Sequence, residues 1–253
     1  MSVTRSLDVV IPVLNEEEDL PSSVQTLHEH LSRHFDDYEW WIVIADNGST
    51  DLTPEVARRL SGQAARVRYI RLEQRGRGRA LGKAWLESDA DIVGYMDVDL
   101  STDLSALRDL VAAVDVEGYD IAIGSRLKKG AQVVGRSFKR EFISRAYSLL
   151  FRAMFLAGFV DAQCGFKVLR ARAAHELVPL LEDKGWFFDT ELLLVASRLG
   201  YRIKEVPVRW TDDPDSRVKI VSTAYEDFKG LLRLRFGGLK RASELASKRG
   251  PAA

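Results

Sequence analysis

The chemistry-bearing residues of this chain fall in short clusters, and the sharpest is Asp97-Val98-Asp99, which follows the apolar run Ile92-Val93-Gly94-Tyr95-Met96. At a strand end, residues two apart point to the same side, so both carboxylates would face one ligand. Two such groups repel each other unless a positive charge sits between them. Oxygen-only donors suit Mg2+ or Mn2+, cations that bridge diphosphate oxygens. The plainer alternative is a pair of turn aspartates ahead of a helix near Leu104. The position after a buried strand favours the metal.

Further polar clusters follow two earlier apolar runs: Asn15-Glu16 after residues 7–14, and Asp46-Asn47-Gly48-Ser49 after residues 39–45. The segment 74–83, Gln-Arg-Gly-Arg-Gly-Arg-Ala-Leu-Gly-Lys, suits phosphate but is no P-loop. It also misses Gly-x-Gly-x-x-Gly, because Leu81 stands at the last glycine position. Either it is a turn before a helix, or it brings backbone N–H groups near Gly76, with Arg side chains and Lys83, to donor phosphates.

These clusters need a scaffold. With 253 residues, 46% hydrophobic and 29% charged, the chain can bury a substantial core and is not a disordered sequence. Strands are expected at 7–14, 39–45, 67–72, 92–98, 121–124 and 202–210. Helices are expected at 20–34, 54–61, 79–87, 104–115, 138–156 and 186–199. Strands alternating with helices imply an α/β fold, a mostly parallel twisted sheet flanked by helices. Ligands of such sheets sit at the carboxyl ends of the strands, where the polar clusters fall. A single cysteine, Cys164, excludes an internal disulfide framework and a multi-cysteine zinc site, and points to a reducing compartment.

Lys plus Arg and Asp plus Glu both number 37, yet the basic residues are clustered. Arg126, Lys128, Lys129, Arg136, Lys139, Arg140, Arg145 and Arg152 are opposed only by Glu141, and a second basic stretch follows Lys229. Such fields attract phosphate, anionic lipid or nucleic acid. No nucleic-acid-binding signature is present, so nucleic acid is not expected as a partner. Residues 138–156 read as an amphipathic helix, packed on the core over part of its surface and, on the sharper reading, resting on a membrane, with Glu141, Arg145, Ser148 and Arg152 on one face. Phe142, Phe151 and Phe155 would reach a membrane surface. No signal peptide is read at 1–5, and the central run 153–160 is far too short to span a bilayer.

Taken together, the motifs resemble family 2 inverting glycosyltransferases, and among them the dolichyl-phosphate (polyprenyl-phosphate) glucosyltransferases and mannosyltransferases. The matching stretches are Val10–Glu17, Asp46–Asp51, Asp97–Thr102, Gly124–Arg126, Asp161–Lys167, Trp186–Leu192, Glu205–Trp210 and Ser216–Val218. The resemblance implies a GT-A-like single domain over 1–236, with 126–160 facing acceptor and membrane, and a basic, flexible tail at 237–253. It implies that Pro12, Val13, Asn15, Glu16 and Asp46 line the nucleotide pocket. Asp97 and Asp99, with Val98 between them, would hold donor phosphates through the metal, and Arg217 would close on the diphosphate. Arg126, Arg136 and Arg140 would meet the acceptor phosphate, and Gln163 and Glu191 would stand near the sugar. Ser101 stands where mannosyl members typically carry Gln, which moves the expected donor toward UDP-glucose or another UDP-hexose. GDP-mannose and UDP-N-acetylhexosamine remain the alternative donors.

The implied reaction joins a hexose to polyprenyl phosphate with inversion, and needs no catalytic histidine. The expected location is cytoplasmic, peripheral at the membrane face, with a membrane-anchored partner protein as another route to that surface. Two readings from other classes stay open at this point. One is a haloacid-dehalogenase-like phosphatase using Asp97 as nucleophile, although three strands precede its motif. The other is a non-catalytic module that binds nucleotide sugars. Among single residues, Cys164 reads as a buried small side chain and Trp210 as a core or sheet residue. Asp189 reads as an orienting group or a helix N-cap.

Overall fold

The computed structural model describes residues 5–212 and 220–249. The first half alternates as expected: β1 (Arg5–Val13), α1 (Leu20–His34), β2 (Tyr38–Asp46), α2 (Thr53–Gln63), β3 (Val67–Arg71), α3 (Arg77–Leu86), β4 (Ile92–Met96), α4 (Ala106–Asp115) and β5 (Ile121–Ser125). The second half runs β6 (Gln132–Val134), α5 (Phe138–Phe155), β7 (Phe166–Arg170), α6 (Ala171–Leu177), α7 (Phe188–Arg198), β8 (Ile203–Pro207), β9 (Arg209–Thr211), α8 (Ile220–Arg233) and α9 (Leu239–Arg249).

Seven strands form one sheet in the order β3-β2-β1-β4-β7-β5-β8. Every neighbouring pair is parallel except those made by β7, which is antiparallel to both β4 and β5. A separate two-stranded ribbon pairs β6 with β9. Leu7, Val9, Ile11 and Val13 alternate onto one face of the sheet, against α1 and α4. Val10, Val43 and Tyr95 face the other side, against α3, α6 and α7. Burial on both faces explains why β1 reads as an unbroken apolar run. In register, Val13 stands opposite Asp46, and Met96 opposite Phe166. The strand ends therefore set Asn15, Asp46 and Asp97 along one rim.

The helix at 138–156 forms but rolls differently from expectation. Phe151 is fully buried and stacks on Phe159, with ring centroids 5.2 Å apart, and Ser148 is buried beside it. Tyr147, Met154 and Phe155 pack against the same core. Burying this broad aromatic side gains more apolar area than burying the narrower Phe142 stripe would. Phe138, Phe142 and Leu149 consequently face outward, at 97%, 73% and 68% exposure. Phe151 is thus a core residue, and the outer face is made by Phe138, Phe142, Arg145, Leu149, Arg152 and Leu156 at helical spacing.

Among the described residues, 239–249 are helical. Leu239, Ala242, Leu245 and Ala246 recur at helical spacing, so Leu239–Arg249 folds as α9 and packs on α7, with Ala242 buried. A kink at Phe236 and Gly237 separates α9 from α8.

Candidate functional site

Asp97 leaves the end of β4 with its backbone amide donating to the Gly165 carbonyl at 3.1 Å. Arg77, at the start of α3, donates from Nη2 to Asp97 Oδ1 at 2.6 Å and from Nη1 to Asp189 Oδ2. Asp189 also accepts from the Lys167 ammonium at 2.8 Å and from the Tyr95 hydroxyl. Lys167 is completely buried and donates further to the Cys164 carbonyl at 2.7 Å. Charges so deep persist only when paired and hydrogen-bonded. Burial alone would raise the Asp189 carboxyl, yet Lys167 and Arg77 hold it below its ordinary range. The alternation of Lys167, Asp189, Arg77 and Asp97 is a buried relay of opposite charges ending at the rim. Arg77 is further fixed over the rings of Tyr95 and Trp186.

Asp97 and Asp99 open onto one cleft with Ser101, Thr102, Gly165 and Trp210. Asp97 keeps 41% of its side chain accessible, and Asp99 is exposed, with Oδ1 accepting from the Ser101 amide at 2.9 Å. Leu100 takes φ +50°, a left-handed conformation that is costly for leucine and turns the chain sharply between Asp99 and Ser101. The Val98 carbonyl accepts from Ser23 of α1, anchoring the middle of the motif.

The ends of β1 and β2 interlock. Asn15, at φ +58°, donates its amide to Ser49 Oγ and accepts from the Thr50 amide at 2.8 Å. Glu16 donates its amide to Thr53 Oγ1 at 2.8 Å, and both Asn15 and Glu16 line a hollow with Asp51. Asp46 is fully buried; it accepts from the Ser49 amide, the Tyr69 hydroxyl and Arg71 Nη1. Pro12 and Val13 are buried in β1 directly beneath this rim.

The glycine loop is organised by protein rather than left open. The Gly76 amide donates to Asn47 Oδ1, and the amides of Gly78 and Arg79 donate to the carbonyls of Gly185 and Lys184. Gly76 sits at φ +146°, and a Cβ there would lie 2.5 Å from the Lys184 carbonyl. Of the N–H groups expected to face donor phosphates, that of Gly76 is taken by Asn47, and those of Gly78 and Arg79 by the 184–185 turn. Lys83 lies further along α3 and pairs with Glu87, so it is not brought to the Asp97 rim.

Across the cleft, Arg126 grips Asp161 with Nε and Nη2, each at 2.9 Å, and with its backbone amide. Burial would raise the Asp161 carboxyl, but Arg126 brings it down to about 2. The guanidinium groups of Arg126 and Arg136 lie 5.5 and 5.6 Å from the Trp210 ring centroid. Arg136 is nearly buried; it pairs with Glu141 and Ser144, and its Nε has no hydrogen-bond partner. Burial and the neighbouring Arg126 both push its pKa down. Arg140 pairs with Asp212. Gln163 donates to Asp227 at 2.6 Å. Glu191 is buried, with one oxygen on Arg233 and the other on the Asp183 amide. Arg217 lies outside the described residues.

Sequence reasoning missed Arg77, Lys167, Asp161 and Asp227. Lys167, a lone cation within Phe-Lys-Val-Leu, was a usable signal, because such a residue in a buried strand needs a partner. Asp189 is the orienting group rather than a cap, since α7 begins at Phe188 and its N-cap position, Phe187, makes no side-chain cap. Cys164 is buried, its thiol pushed up to about 12 by burial. Trp210 is a sheet residue on β9, half-buried against the core, and it also borders the cleft.

Among known proteins, the family model described as glycosyl transferase family 2 matches residues 8–178. Glycosyltransferase AglD of Haloferax volcanii is 37% identical over 85% of this chain, which spans about a third (34%) of that protein. The dolichyl-phosphate beta-glucosyltransferase of Mus musculus is 31% identical, with 98% of this chain and 80% of that protein covered. In fold, the chain is similar to glucosyl-3-phosphoglycerate synthase of Mycobacterium tuberculosis, solved with Mn2+, UDP-glucose and phosphoglyceric acid. The TM-score is 0.68 at 20% identity, covering 91% and 79% of the two chains. Mannosyl-3-phosphoglycerate synthase of Rubrobacter xylanophilus gives a TM-score of 0.71 at 19% identity, covering 92% and 75%. The sheet and its flanking helices are thus a GT-A-like domain, and the chain belongs to glycosyl transferase family 2.

Proposed function

We propose that this chain transfers glucose from UDP-glucose to a polyprenyl or dolichyl phosphate, inverting the anomeric centre. The observation that carries this reading is the closeness of two acidic groups to two basic ones. Asp97 and Asp99 line one cleft with Trp210, and the guanidinium groups of Arg126 and Arg136 lie near the ring of that Trp210. The curated relatives named as dolichyl-phosphate beta-glucosyltransferases support the donor and the acceptor class.

The hard oxygen donors of Asp97 and Asp99 fit Mg2+ or Mn2+. Among the described residues, no cluster of three or more His, Cys, Asp or Glu could hold a metal ion. That suits a cation shared with the donor diphosphate better than a closed structural site. When bound, such a cation offsets charge on the departing diphosphate.

The chain's own residues do the rest. Arg77 fixes the rotamer of Asp97 and is itself fixed by Asp189. Arg126 and Arg136 hold the acceptor phosphate, already anionic at neutral pH, in line with the anomeric carbon. A phosphate oxygen forms the bond to that carbon as the bond to the donor phosphate breaks, and UDP leaves with the electron pair. No proton has to move. The four histidines accordingly play no part: His28, His30 and His34 lie on α1, and His175 on α6 is bonded to the Trp85 carbonyl.

The outward Phe138, Phe142 and Leu149 of α5 and its C-cap Leu156, interspersed with Arg145 and Arg152, would seat the protein on an anionic membrane face. No helix of the described residues is long and apolar enough to cross a membrane. The reading places the enzyme peripherally at the cytoplasmic face, alone or beside a membrane-anchored partner. The test offers polyprenyl phosphate with UDP-glucose, GDP-mannose or a UDP-N-acetylhexosamine and identifies the lipid product by mass. A hexosyl-phospholipid formed from UDP-glucose is the expected result, and no product from any donor overturns the proposal.

A further inference from the structure

Asp227, on α8, is a buried carboxylate that the reaction described above does not use. It is 3% exposed, and its Oδ1 has no hydrogen-bond partner. Its Oδ2 accepts from Gln163 Nε2 at 2.6 Å. The acidic groups bearing on it are Asp183 of the turn before α7, Asp189 of α7 and Glu226 of its own helix. Tyr147 of α5 is also within its field and is hydrogen-bonded to Thr190. No cation takes Asp227 as an ion-pair partner among the described residues. A carboxylate kept in such a setting costs stability, so packing does not explain it.

Its partner occupies a central place. Gln163 lies in the short loop between Asp161 and Gly165. Asp161 holds Arg126 at one end of that loop and accepts from the Gln163 amide at 3.2 Å. Gly165 accepts from the Asp97 amide at the other end. Along the chain, Gln163 thus lies between the residue that holds Arg126 and the residue that holds the Asp97 backbone. A carboxylate can only accept, so it dictates which end of the carboxamide turns toward it. With Nε2 committed to Asp227, Oε1 points away as an acceptor.

We infer that Asp227 is a positioning residue that locks the Gln163 carboxamide, leaving Oε1 to accept a hydrogen bond from a hydroxyl of the transferred sugar. The inference rests on the reading of this chain as a sugar-nucleotide transferase. Protonated Asp227 would instead donate to Oε1, and the carboxamide would turn its N–H groups to the sugar. Burial first, then the acids Asp183, Asp189 and Glu226, push the Asp227 carboxyl up to about 6, with Gln163 opposing. The lock is therefore set at neutral pH and released in mild acid.

The test compares binding of UDP-glucose and of UDP, each with Mn2+, by calorimetry between pH 5 and 8. One hydrogen bond of this kind is worth about fivefold to tenfold in affinity. In the unaltered protein, the affinity gained from the glucosyl group should hold at pH 7.5 and shrink by that factor at pH 5. Asp227→Asn should lack the gain at every pH, and Gln163→Ala should lack it equally. The double variant should be no worse than either single one, while UDP alone binds all four proteins alike. Asp227→Asn keeps the shape of the side chain, and Gln163→Ala reads the same lock from a half-exposed loop. A glucosyl gain untouched by Asp227→Asn, or losses that add in the double variant, overturn the positioning role alone. Failure of the unaltered protein to bind UDP overturns the transferase reading and this inference together.

Discussion

A methyl group at residue 165 would lie 1.6 Å from Asp97 Oδ2 and 2.3 Å from its carboxyl carbon. The first aspartate of the rim therefore occupies the space that every residue except glycine fills. Gly165→Ala must push the Asp97 carboxylate aside, with an overpacking cost of about 1–3 kcal/mol. The expected outcome is loss of Mn2+-dependent UDP-glucose binding by at least about tenfold, read by calorimetry, in a protein that still melts cooperatively.

Asp189 carries two buried cations at once. Asp189→Ala leaves Lys167 without its countercharge and Arg77 with Asp97 alone. Breaking a buried pair in this way costs about 3–5 kcal/mol, and urea unfolding at pH 7 should show that loss. Because Asp189 is held below its ordinary pKa, its contribution is present above the unfolded value and falls away as pH drops through the folded one. The difference between the two proteins should narrow in acid.

The opposite sign holds for Asp227. Its folded pKa of about 6 lies above the ordinary 3.8, so the native state binds the proton more tightly than the unfolded chain. Asp227 thus costs stability above pH 6 and ceases to do so below about pH 4. Asp227→Asn should raise stability at pH 7.5 by on the order of 2–3 kcal/mol. That gain should vanish by pH 4 in melting curves recorded across the range.

Arg136 should matter to the acceptor alone. Arg136→Ala removes a nearly buried guanidinium from the face of Trp210 while leaving the Arg126–Asp161 pair intact. We expect KM for polyprenyl phosphate to rise about ten- to thirtyfold with little change in KM for UDP-glucose, the scale of one charge-assisted hydrogen bond. Equal rises in both constants would contradict this assignment.

The outer face of α5 can be tested without catalysis. Phe142→Asp with Leu149→Glu replaces two exposed apolar side chains and should cost almost nothing in melting temperature. Flotation with anionic liposomes should fall to the level seen without lipid. Phe151→Asp, by contrast, should fail to fold, because that ring lies in the core.

The rim of the site was readable because Asn15, Asp46 and Asp97 each directly follow an apolar strand, and strand ends converge in a parallel sheet. The relay beneath it was not. Arg77 sits in an arginine-rich loop whose members look interchangeable until the fold selects one for Asp97. The strand β7 was missed because Phe166–Arg170 is short and antiparallel, inserted between strands that the βαβ pattern makes neighbours. Glu191 was legible as important, but its bonds to Arg233 and the Asp183 amide depend on α8, whose approach no local pattern records. The roll of α5 was decided by competition between two apolar faces of unequal width, a quantity that helical spacing leaves undetermined.

Glu182 receives Arg233 from one side of the C-terminal kink and Arg241 from the other. This single carboxylate works as a staple between two helices that otherwise diverge. Ending the chain at residue 236, the boundary that the resemblance implies, would remove one prong and strip α7 and its neighbours of the Ala242 contact. The 184–185 turn, which caps α3 and so steadies Arg77, would lose its outer brace. The last helix is therefore upstream of the Asp97 rim in a mechanical sense, though it touches none of it.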